Sequence, residues 1–488
     1  MTSTLKQKTA TGLFWGGLSN GLQQLIGFAF GIFFLRVLSP KDFALVAMLA
    51  IFTGISSTIT NFGFSTALIN KQNVTHEDYN AVFWFTFFVG LILYIVLFFS
   101  APLIAQFYNQ PALIQLSRFI FIGFFMSALA IVSYAILLKN LMIKQLAIID
   151  ITSLLSSCIV GLVLAIKGYT YWAIAVQSVI FISLDAVLRI VVATWKPSLN
   201  LNFSPLKQMY SFSMKLFFTN IFIQINTFIL QVILGKFFSP TDTGQYDRGQ
   251  SWVIKGNAVI TGMINSVAQP VLAQINEDKE RQISVLRKMI RFGSFVSFPL
   301  MLGLAFVGRE FILITVGEKW LPSVPILQLF CIWGAVSFLV TLFTNLIFTQ
   351  GKSGIYMNVT IVISLSQIAI AFCLLPFGII PMLMGYISVY LLGLSVWYYQ
   401  VWKLIGLRLI DFLKDTLPYL GITFLCFGSA WLITWNIQNI YLLFVSKIVL
   451  SGILYIFVMK ISHSVIFKES VEFLMNFFKK DKSNNDIN

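Results

Sequence analysis

Long apolar blocks separated by short polar connections run along almost the whole chain of 488 residues. The blocks recur from Phe14 to Lys460, and each is about 20 residues long, the length that an α-helix needs to cross a bilayer. Within each block apolar residues follow one another instead of alternating with polar ones, which favours helices over barrel strands. The pattern predicts an all-α polytopic membrane protein with about fourteen transmembrane helices. They run over residues 14–36, 43–69, 81–104, 117–138, 146–166, 171–193, 211–236, 244–272, 289–308, 324–348, 355–375, 380–402, 417–436 and 441–461.

The composition supports this prediction. Only 10% of the residues are charged and 58% are hydrophobic, whereas about a quarter of the residues in a soluble domain carry a charge. The polar tail after His463, which ends in KKDKSNNDIN, is predicted to form an interfacial helix followed by disorder. The N-terminal MTSTLKQKTATG leads directly into a full-length span, which argues against a cleavable signal peptide.

The formal net charge of +15 does not indicate a nucleic-acid-binding protein, because the cations are scattered singly over short connections. Scattered cations of this kind are typical of topology signals, since Lys and Arg concentrate on the cytoplasmic side of membrane proteins. Most of them fall in the N-terminus, in the connections after even-numbered spans and in the C-terminal tail. Both termini are therefore predicted to be cytoplasmic, which requires an even number of spans.

The two halves of the chain share a repeat at an offset of 200 residues. The aligned identities are Ser39 with Ser239, Pro40 with Pro240, Asp42 with Asp242, Asn20 with Asn220, Gln24 with Gln224 and Phe28 with Phe228. Six predicted helices lie within one offset, so both halves enter the membrane in the same direction, as parallel repeats of some transporters do. The predicted division is two parallel six-helix lobes, residues 1–205 and 206–402, followed by two extra helices and a polar tail in residues 403–488.

The shared S-P-x-D motif is predicted to form the tight turn between the first two helices of each half. Proline would set the turn, and the aspartate would cap the following helix. A purely structural turn is the favoured interpretation of this motif.

The eighth predicted span, GQYDRGQSWVIKGNAVITGMINSVAQPVL, is unusually polar. Its Arg248 and Lys255 are seven residues apart and therefore share one face of a helix. A charge at the centre of a lipid-facing helix costs at least ~2.5–3.5 kcal/mol, so this helix is expected to face protein or water. One interpretation is a water-filled cavity that binds a phosphate or diphosphate; the other is that Arg248 snorkels to the outer interface and pairs with Asp247 or Asp242. The predicted stripe consists of Arg248, Ser251, Lys255, Gly262, Ser266 and Gln269.

Amides in the first span of each half could hydrogen-bond a sugar-rich ligand, although hydrogen bonds between helices are an equally ordinary role. These substrate-binding candidates are Asn20, Gln24, Asn220 and Gln224. Asp185 and Arg189 are four residues apart, and an internal ion pair is the favoured interpretation. Asp150, near the start of the fifth span, is a candidate for ion coupling.

No set of residues indicates catalysis, a cofactor or a metal. The two histidines, His76 and His463, lie near predicted loops, so a His-centred catalytic site is not expected. The four cysteines lie in apolar blocks without metal-ligand spacing and are predicted to be free thiols. A glycine-rich nucleotide-binding loop is also absent from the sequence, so direct ATP hydrolysis is not expected.

Several stretches together resemble the polysaccharide transporter family of the multidrug/oligosaccharidyl-lipid/polysaccharide superfamily. They are LRVLSPKDFALVAM, FGFSTALINKQNVTHEDYNAVFW, APLIAQFYNQPAL, GKFFSPTDTGQYDRGQSW, QPVLAQINEDKERQ and GEKWLPSVPILQL. The resemblance covers roughly residues 10 to 350. It implies a two-lobed bundle in the bacterial inner membrane, with a central cationic cavity open alternately to each side. Its cargo would be a polyprenyl-diphosphate-linked glycan for lipopolysaccharide, capsule or exopolysaccharide, handed on to polymerase machinery.

The cationic cavity of that family maps here onto Arg248 and Lys255. The first lobe departs from the pattern, because its first two spans carry amides instead of a buried arginine. An ion-coupled drug or small-molecule antiporter of the same fold remains an alternative, and it would favour a buried carboxylate such as Asp150 or Asp185. A membrane-bound glycan polymerase or ligase is disfavoured, because the longest predicted outer connection, GREFILITVGEKWLPS, is short.

Overall fold

The structure is a computed structural model that describes residues 3–71, 73–275, 278–462 and 466–469. These residues form helices and connections, with no strand among them. The helices are α1 (Ser3–Val37), α2 (Pro40–Ala47), α3 (Ala50–Asn61), α4 (Phe64–Asn70), α5 (His76–Tyr108), α6 (Leu113–Lys139), α7 (Ile143–Ile166), α8 (Thr170–Val192), α9 (Ser204–Phe237), α10 (Pro240–Gln274), α11 (Lys279–Phe306), α12 (Gly308–Thr315), α13 (Ser323–Thr349), α14 (Ser353–Leu374), α15 (Ile379–Ile405), α16 (Leu409–Thr434) and α17 (Ile440–Ile461).

Thirteen helical segments of the described chain are long and apolar enough to cross a membrane. They coincide with thirteen of the fourteen predicted spans, so the all-α prediction is confirmed. The remaining predicted span is α10, which is a continuous helix of 35 residues but is too polar to be among the thirteen. A place for α10 inside a membrane therefore depends on what its polar residues contact.

The second predicted span is not the single helix expected over residues 43–69. It consists of α2, α3 and α4, with one break at Met48 and Leu49 and another at Phe62 and Gly63. Both residues of the second break are left-handed, with φ of 47° at Phe62 and 74° at Gly63. A left-handed phenylalanine costs about 1–2 kcal/mol, and the Phe62 ring packs on Phe217 with centroids 4.6 Å apart. Such packing can offset the backbone cost, which apolar periodicity alone does not show.

The S-P-x-D turns are confirmed, with one correction to the capping residue. Ser39 is the N-cap of α2 and Pro40 is its first residue. The Asp42 carboxylate accepts hydrogen bonds from the Ser39 backbone N–H (2.9 Å) and hydroxyl (2.6 Å). In the second half, the Ser239 hydroxyl donates to Asp242 over 2.7 Å. Serine therefore caps each helix, and aspartate closes the capping box from the third helical position.

The chain divides into two compact units, Met1–Asp247 and Arg248–Asn488. In the first unit α6 packs against α5 and α8, and α7 packs against α8 and α1. Helix α9 lies along α3 and α5. One buried cluster forms where α2, α5 and α6 meet, and it includes Leu45, Leu49, Tyr108, Leu116 and Phe121. The predicted division into lobes at residues 1–205 and 206–402, followed by two extra helices and a tail in residues 403–488, remains a prediction.

In the second unit α11 packs against α13 and α16, α13 packs against α15, and α17 lies beside α16 and α12. Arg287 of α11 forms ion pairs with Asp415 (2.7 Å) and Asp411 (3.1 Å) of α16. Lys447 of α17 forms one with Glu310 of α12 (2.8 Å). The last two helices are thus attached through buried charges as well as apolar contacts. Of the predicted C-terminal tail, residues 463–465 and 470–488 lie outside the described residues.

Candidate functional site

One face of α10 is joined to α13 by polar contacts. The Ser337 hydroxyl donates to the Asn257 side-chain oxygen over 2.6 Å, and the Asn345 amide donates to Asn265 over 2.8 Å. Both pairs are separated by 80 residues in the chain, so the two helices run parallel in a constant register. Gly249 lets α13 come close, because a β-carbon there would lie 2.9 Å from the Ser323 carbonyl oxygen. These contacts explain part of the polarity of α10 without a ligand.

Another face of α10 carries Lys255 and does not take part in this seam. Lys255, Val259 and Gly262 are all exposed, Val259 by 57% of its surface. The Lys255 ammonium lies 5.7 Å from the centre of the Trp252 ring, which packs edge-on against Phe311. A cation near an aromatic face is stabilised electrostatically, so the aromatic pair helps to position Lys255. An ammonium on an open helix face can attract an anion.

Arg248 is half-buried and lies two helical turns before Lys255. The two carboxylates that the snorkelling interpretation pairs with Arg248 also accept other hydrogen bonds. Asp247 accepts a hydrogen bond from the Gln231 amide (3.0 Å), and Asp242 accepts one from the hydroxyl of its own turn. In the rest of the predicted stripe Ser251 is half-buried, and the side chains of Ser266 and Gln269 lie outside the described part of the structure.

The repeat-related amides occupy unlike surroundings. Asn20 and Gln24 are exposed on α1, and Asn220 is exposed on α9. Gln224 is half-buried, and its side-chain oxygen would lie 3.0 Å from a β-carbon at Gly54 of α3. Gln224 therefore contributes to helix packing. These four amides belong to the first compact unit and the two cations to the second, so their combination into one site remains a prediction.

Asp150, Asp185 and Arg189 are brought together in the first unit. One terminal nitrogen of Arg189 lies 2.9 Å from Asp150 and 3.0 Å from Asp185, and the guanidinium carbon lies 4.9 Å from the Tyr134 ring centre. The spacing of four residues predicted the Asp185 pair correctly. It did not reveal Asp150, which lies on the neighbouring helix α7 and 39 residues away in the chain.

A cavity of about 380 Å³ lies beside the first break of the second span, within the first unit. Its lining carries the hydroxyls of Thr53, Ser57, Ser127 and Ser178 among apolar side chains and has no charged residue. It therefore has no cation to balance a diphosphate. Among the described residues, no group of three His, Cys, Asp or Glu side chains is placed to hold a metal ion.

Comparisons with known proteins agree with the resemblance found in the sequence. The polysaccharide biosynthesis protein family matches residues 33–325. The chain is 25% identical to an uncharacterized membrane protein in the cps region of Klebsiella pneumoniae, over 96% of this chain and 97% of that one. It is 20% identical to the lipopolysaccharide biosynthesis protein WzxC of Escherichia coli (strain K12), over 68% of each chain.

Solved structures of two transporters share the fold. Lipid II flippase MurJ, in an inward closed conformation, matches with a TM-score of 0.71 and 16% identity, over 93% of this chain and 99% of that one. An inward-facing MATE family multidrug transporter matches with a TM-score of 0.63 and 14% identity, over 78% and 95%. These likenesses confirm the predicted polytopic fold. The chain is a multi-pass membrane protein that belongs to the polysaccharide biosynthesis protein family.

Proposed function

We propose that this protein is a flippase that moves a polyprenyl-diphosphate-linked oligosaccharide from the cytoplasmic to the outer leaflet. Its cargo would be an intermediate of surface polysaccharide assembly. Membership of the polysaccharide biosynthesis family supports this proposal, and so does the similarity to a lipopolysaccharide biosynthesis protein. The structural observation that carries it is Lys255, an exposed cation on a long helix whose Asn257 and Asn265 are already bonded to α13.

The cargo's chemistry matches such a helix face. A diphosphate and several sugars cannot cross hydrocarbon unaided, because their charges and hydroxyls would lose water without replacement. A cationic, amide-bearing path would replace that water, while the polyprenyl chain stays in lipid. Arg248 suits the diphosphate through its planar fork of donors, and Lys255 through a compact charge. Asn20, Gln24, Asn220 and Gln224 are proposed to hydrogen-bond the sugars.

The setting proposed for this cycle is the inner membrane of a bacterium, with both termini in the cytoplasm. The polymerase machinery of the same glycan would take over the cargo at the outer leaflet. We propose a transporter without catalytic residues, in which the two lobes rock about the bound headgroup. Asp150, Asp185 and Arg189 would hold helices together in the first lobe.

The proposal is tested first in a strain that lacks the gene and any redundant exporter. We expect polyprenyl-diphosphate-linked oligosaccharide to accumulate several-fold and surface glycan to be lost, both measured by mass spectrometry of lipid and surface extracts. The wild-type gene should reverse both effects. An unchanged lipid pool together with normal surface glycan would contradict export as the function.

Lys255→Ala should then reduce glycan export at least tenfold, because removing one charge-assisted contact to the diphosphate costs about 1.5–3 kcal/mol. Lys255→Arg should retain most export, since it keeps the charge. Lys167→Ala removes another exposed cation and serves as the matched control. Normal export by Lys255→Ala at wild-type abundance would exclude this residue from the diphosphate site.

An ion-coupled small-molecule or drug antiporter is the second candidate function. The grouped carboxylates of Asp150 and Asp185 and the MATE-like fold are the observations in its favour. An antiporter predicts that the deletion strain becomes sensitive to toxic compounds while its lipid-linked glycan pool stays normal. Growth on a panel of such compounds, beside the lipid measurement, separates the two functions.

A further inference from the structure

The two repeat-related turns lie against each other in the first compact unit. Gly244, in the first turns of α10, is buried against Pro40, the first residue of α2. A β-carbon at Gly244 would overlap the carbonyl oxygen of Pro40 and would lie 2.6 Å from its carbonyl carbon. Backbone therefore contacts backbone here, and no side chain fits at residue 244 while the turns stay together.

Glycine at this position is unfavourable for the helix itself. Within a helix it is less favourable than alanine, because it loses more backbone conformational freedom on folding. The repeat partner of Gly244 is Ala44, a fully buried residue of α2. The contact with Pro40 gives a physical reason for glycine in the second turn, where the alanine of the first turn could not be accommodated.

The region around this contact is tightly closed. On α9, a β-carbon at Gly235 would lie 2.8 Å from the Tyr108 ring and 3.0 Å from Met48, so a second glycine also allows close approach. Four further residues near the turns have at most 1% of their surface exposed: Leu45, Leu49, Thr243 and Tyr246.

The capping hydrogen bonds of each turn are formed within that turn. The Ser39–Asp42 hydrogen bonds lie within the first turn, and the Ser239–Asp242 hydrogen bond lies within the second. The contact at residue 244 is made by the backbone of Gly244 and Pro40. Separating the turns would therefore leave the hydrogen bonds of both caps intact.

We infer that this contact is a seal that closes one end of the transport path and opens once in each cycle, and that Gly244 is the residue that lets it close. The inference rests on the proposed function, because alternating access needs an end that is closed while the other is open. Any side chain at residue 244 should hold the turns apart and leave that end open.

The seal can be tested by thiol accessibility, which requires no cargo. Thr243→Cys places a thiol at a fully buried position beside Gly244. It is made together with Cys373→Ala, because Cys373 is exposed whereas Cys158, Cys331 and Cys426 are buried. A water-soluble maleimide is added to membrane fragments whose two faces are both open, and the rate of labelling is measured by mass spectrometry.

We expect slow labelling of Thr243→Cys in the parent, as the seal opens transiently, and labelling at least tenfold faster when Gly244→Ala is added. Equal rates with and without Gly244→Ala, at equal abundance, would overturn the inference. A parent that stays unlabelled for hours while it exports glycan normally would also overturn it, because the contact would then be a static plug. That second measurement needs no Gly244 variant and holds even if Gly244→Ala fails to fold.

Gly31→Ala is the matched control, since nothing lies within 4 Å of a β-carbon at Gly31 of α1. It should change neither the labelling rate nor glycan export. Gly244→Ala should also lower export, because the end that it holds open no longer closes. Gly244→Ala could speed labelling while deletion of the gene leaves the glycan pool unchanged. That result would support the seal and reject only the proposed cargo.

Discussion

Arg189 is shared by two carboxylates in the first compact unit. Asp150 on α7 and Asp185 on α8 approach the same terminal nitrogen, so each carboxylate can partly replace the other. A coupling ion would need a group whose loss stops transport, whereas an ion-pair network tolerates the loss of one of two equivalent members. The two interpretations therefore differ in how single and double substitutions behave.

For the ion-pair network, Asp150→Asn should leave glycan export and thermal stability close to wild type, because Asp185 still neutralises Arg189. Asp150→Asn with Asp185→Asn should lower stability, by less than the roughly 3–5 kcal/mol of a fully buried pair, since Arg189 keeps part of its surface exposed. Thermal unfolding in detergent measures this difference. Loss of export in a stable Asp150→Asn protein would instead establish ion coupling at this site.

Residue patterns predicted contacts within one helix better than contacts between helices. The spacing of Asp185 and Arg189 was sufficient to predict their ion pair, because residues four apart share a helix face. The pairing of Asn257 with Ser337 depends on the register between α10 and α13, which no local pattern encodes. For the same reason the sequence leaves open whether the polar residues of α10 face a ligand or protein, and part of them bond to α13.

Two ion pairs that differ in burial connect C-terminal residues to earlier helices of the second unit. Lys447 and Glu310 retain only 11% and 6% of their side-chain exposure. In contrast, Lys288 and Glu469 retain 58% and 44%. Removing one partner of a buried pair leaves an uncompensated charge, whereas an exposed pair contributes at most about 1 kcal/mol.

Glu310→Gln should therefore destabilise the protein by about 3–5 kcal/mol, because Lys447 keeps its buried charge without a partner. Adding Lys447→Met should recover most of this loss, since the charge is then removed as well. Glu469→Gln is the control at the exposed pair and should change stability by less than about 1 kcal/mol. Thermal unfolding of the four proteins in one detergent provides the comparison, and equal effects of Glu310→Gln and Glu469→Gln would refute the anchoring role.

At the scale of elements, apolar periodicity located the spans but not the breaks within them. The second span is interrupted where Phe62 and Gly63 adopt left-handed backbone, and Phe62 is held there by rings from other helices. Periodicity reports which face of a helix is apolar and says nothing about such tertiary packing. The turns were predicted because the S-P-x-D motif acts locally, within four residues.

For the molecule as a whole, the number of spans decides which side of the membrane each half of the chain reaches. In the part of the chain that the structure describes, thirteen helical segments are apolar enough to cross, and α10 is the fourteenth span only if its polar residues are shielded. The seam with α13 shields Asn257, which lowers the free-energy cost of placing α10 across the membrane. With the N-terminus in the cytoplasm, as proposed, α10 as a span would place the connection to α11 in the cytoplasm. Without α10 as a span, that connection and the residues before α10 would share the outer side.

Single cysteines on either side of α10 distinguish these topologies. We expect Thr241→Cys, exposed at the start of α10, to react with a membrane-impermeant maleimide in intact cells. Lys279→Cys, exposed at the start of α11, should react only after the inner membrane is permeabilised, and Lys352→Cys should behave in the same way as a second cytoplasmic position. All variants carry Cys373→Ala to remove the exposed native thiol. If Lys279→Cys reacts in intact cells as fast as Thr241→Cys, α10 does not span the membrane, and Lys255 cannot lie on a path across it.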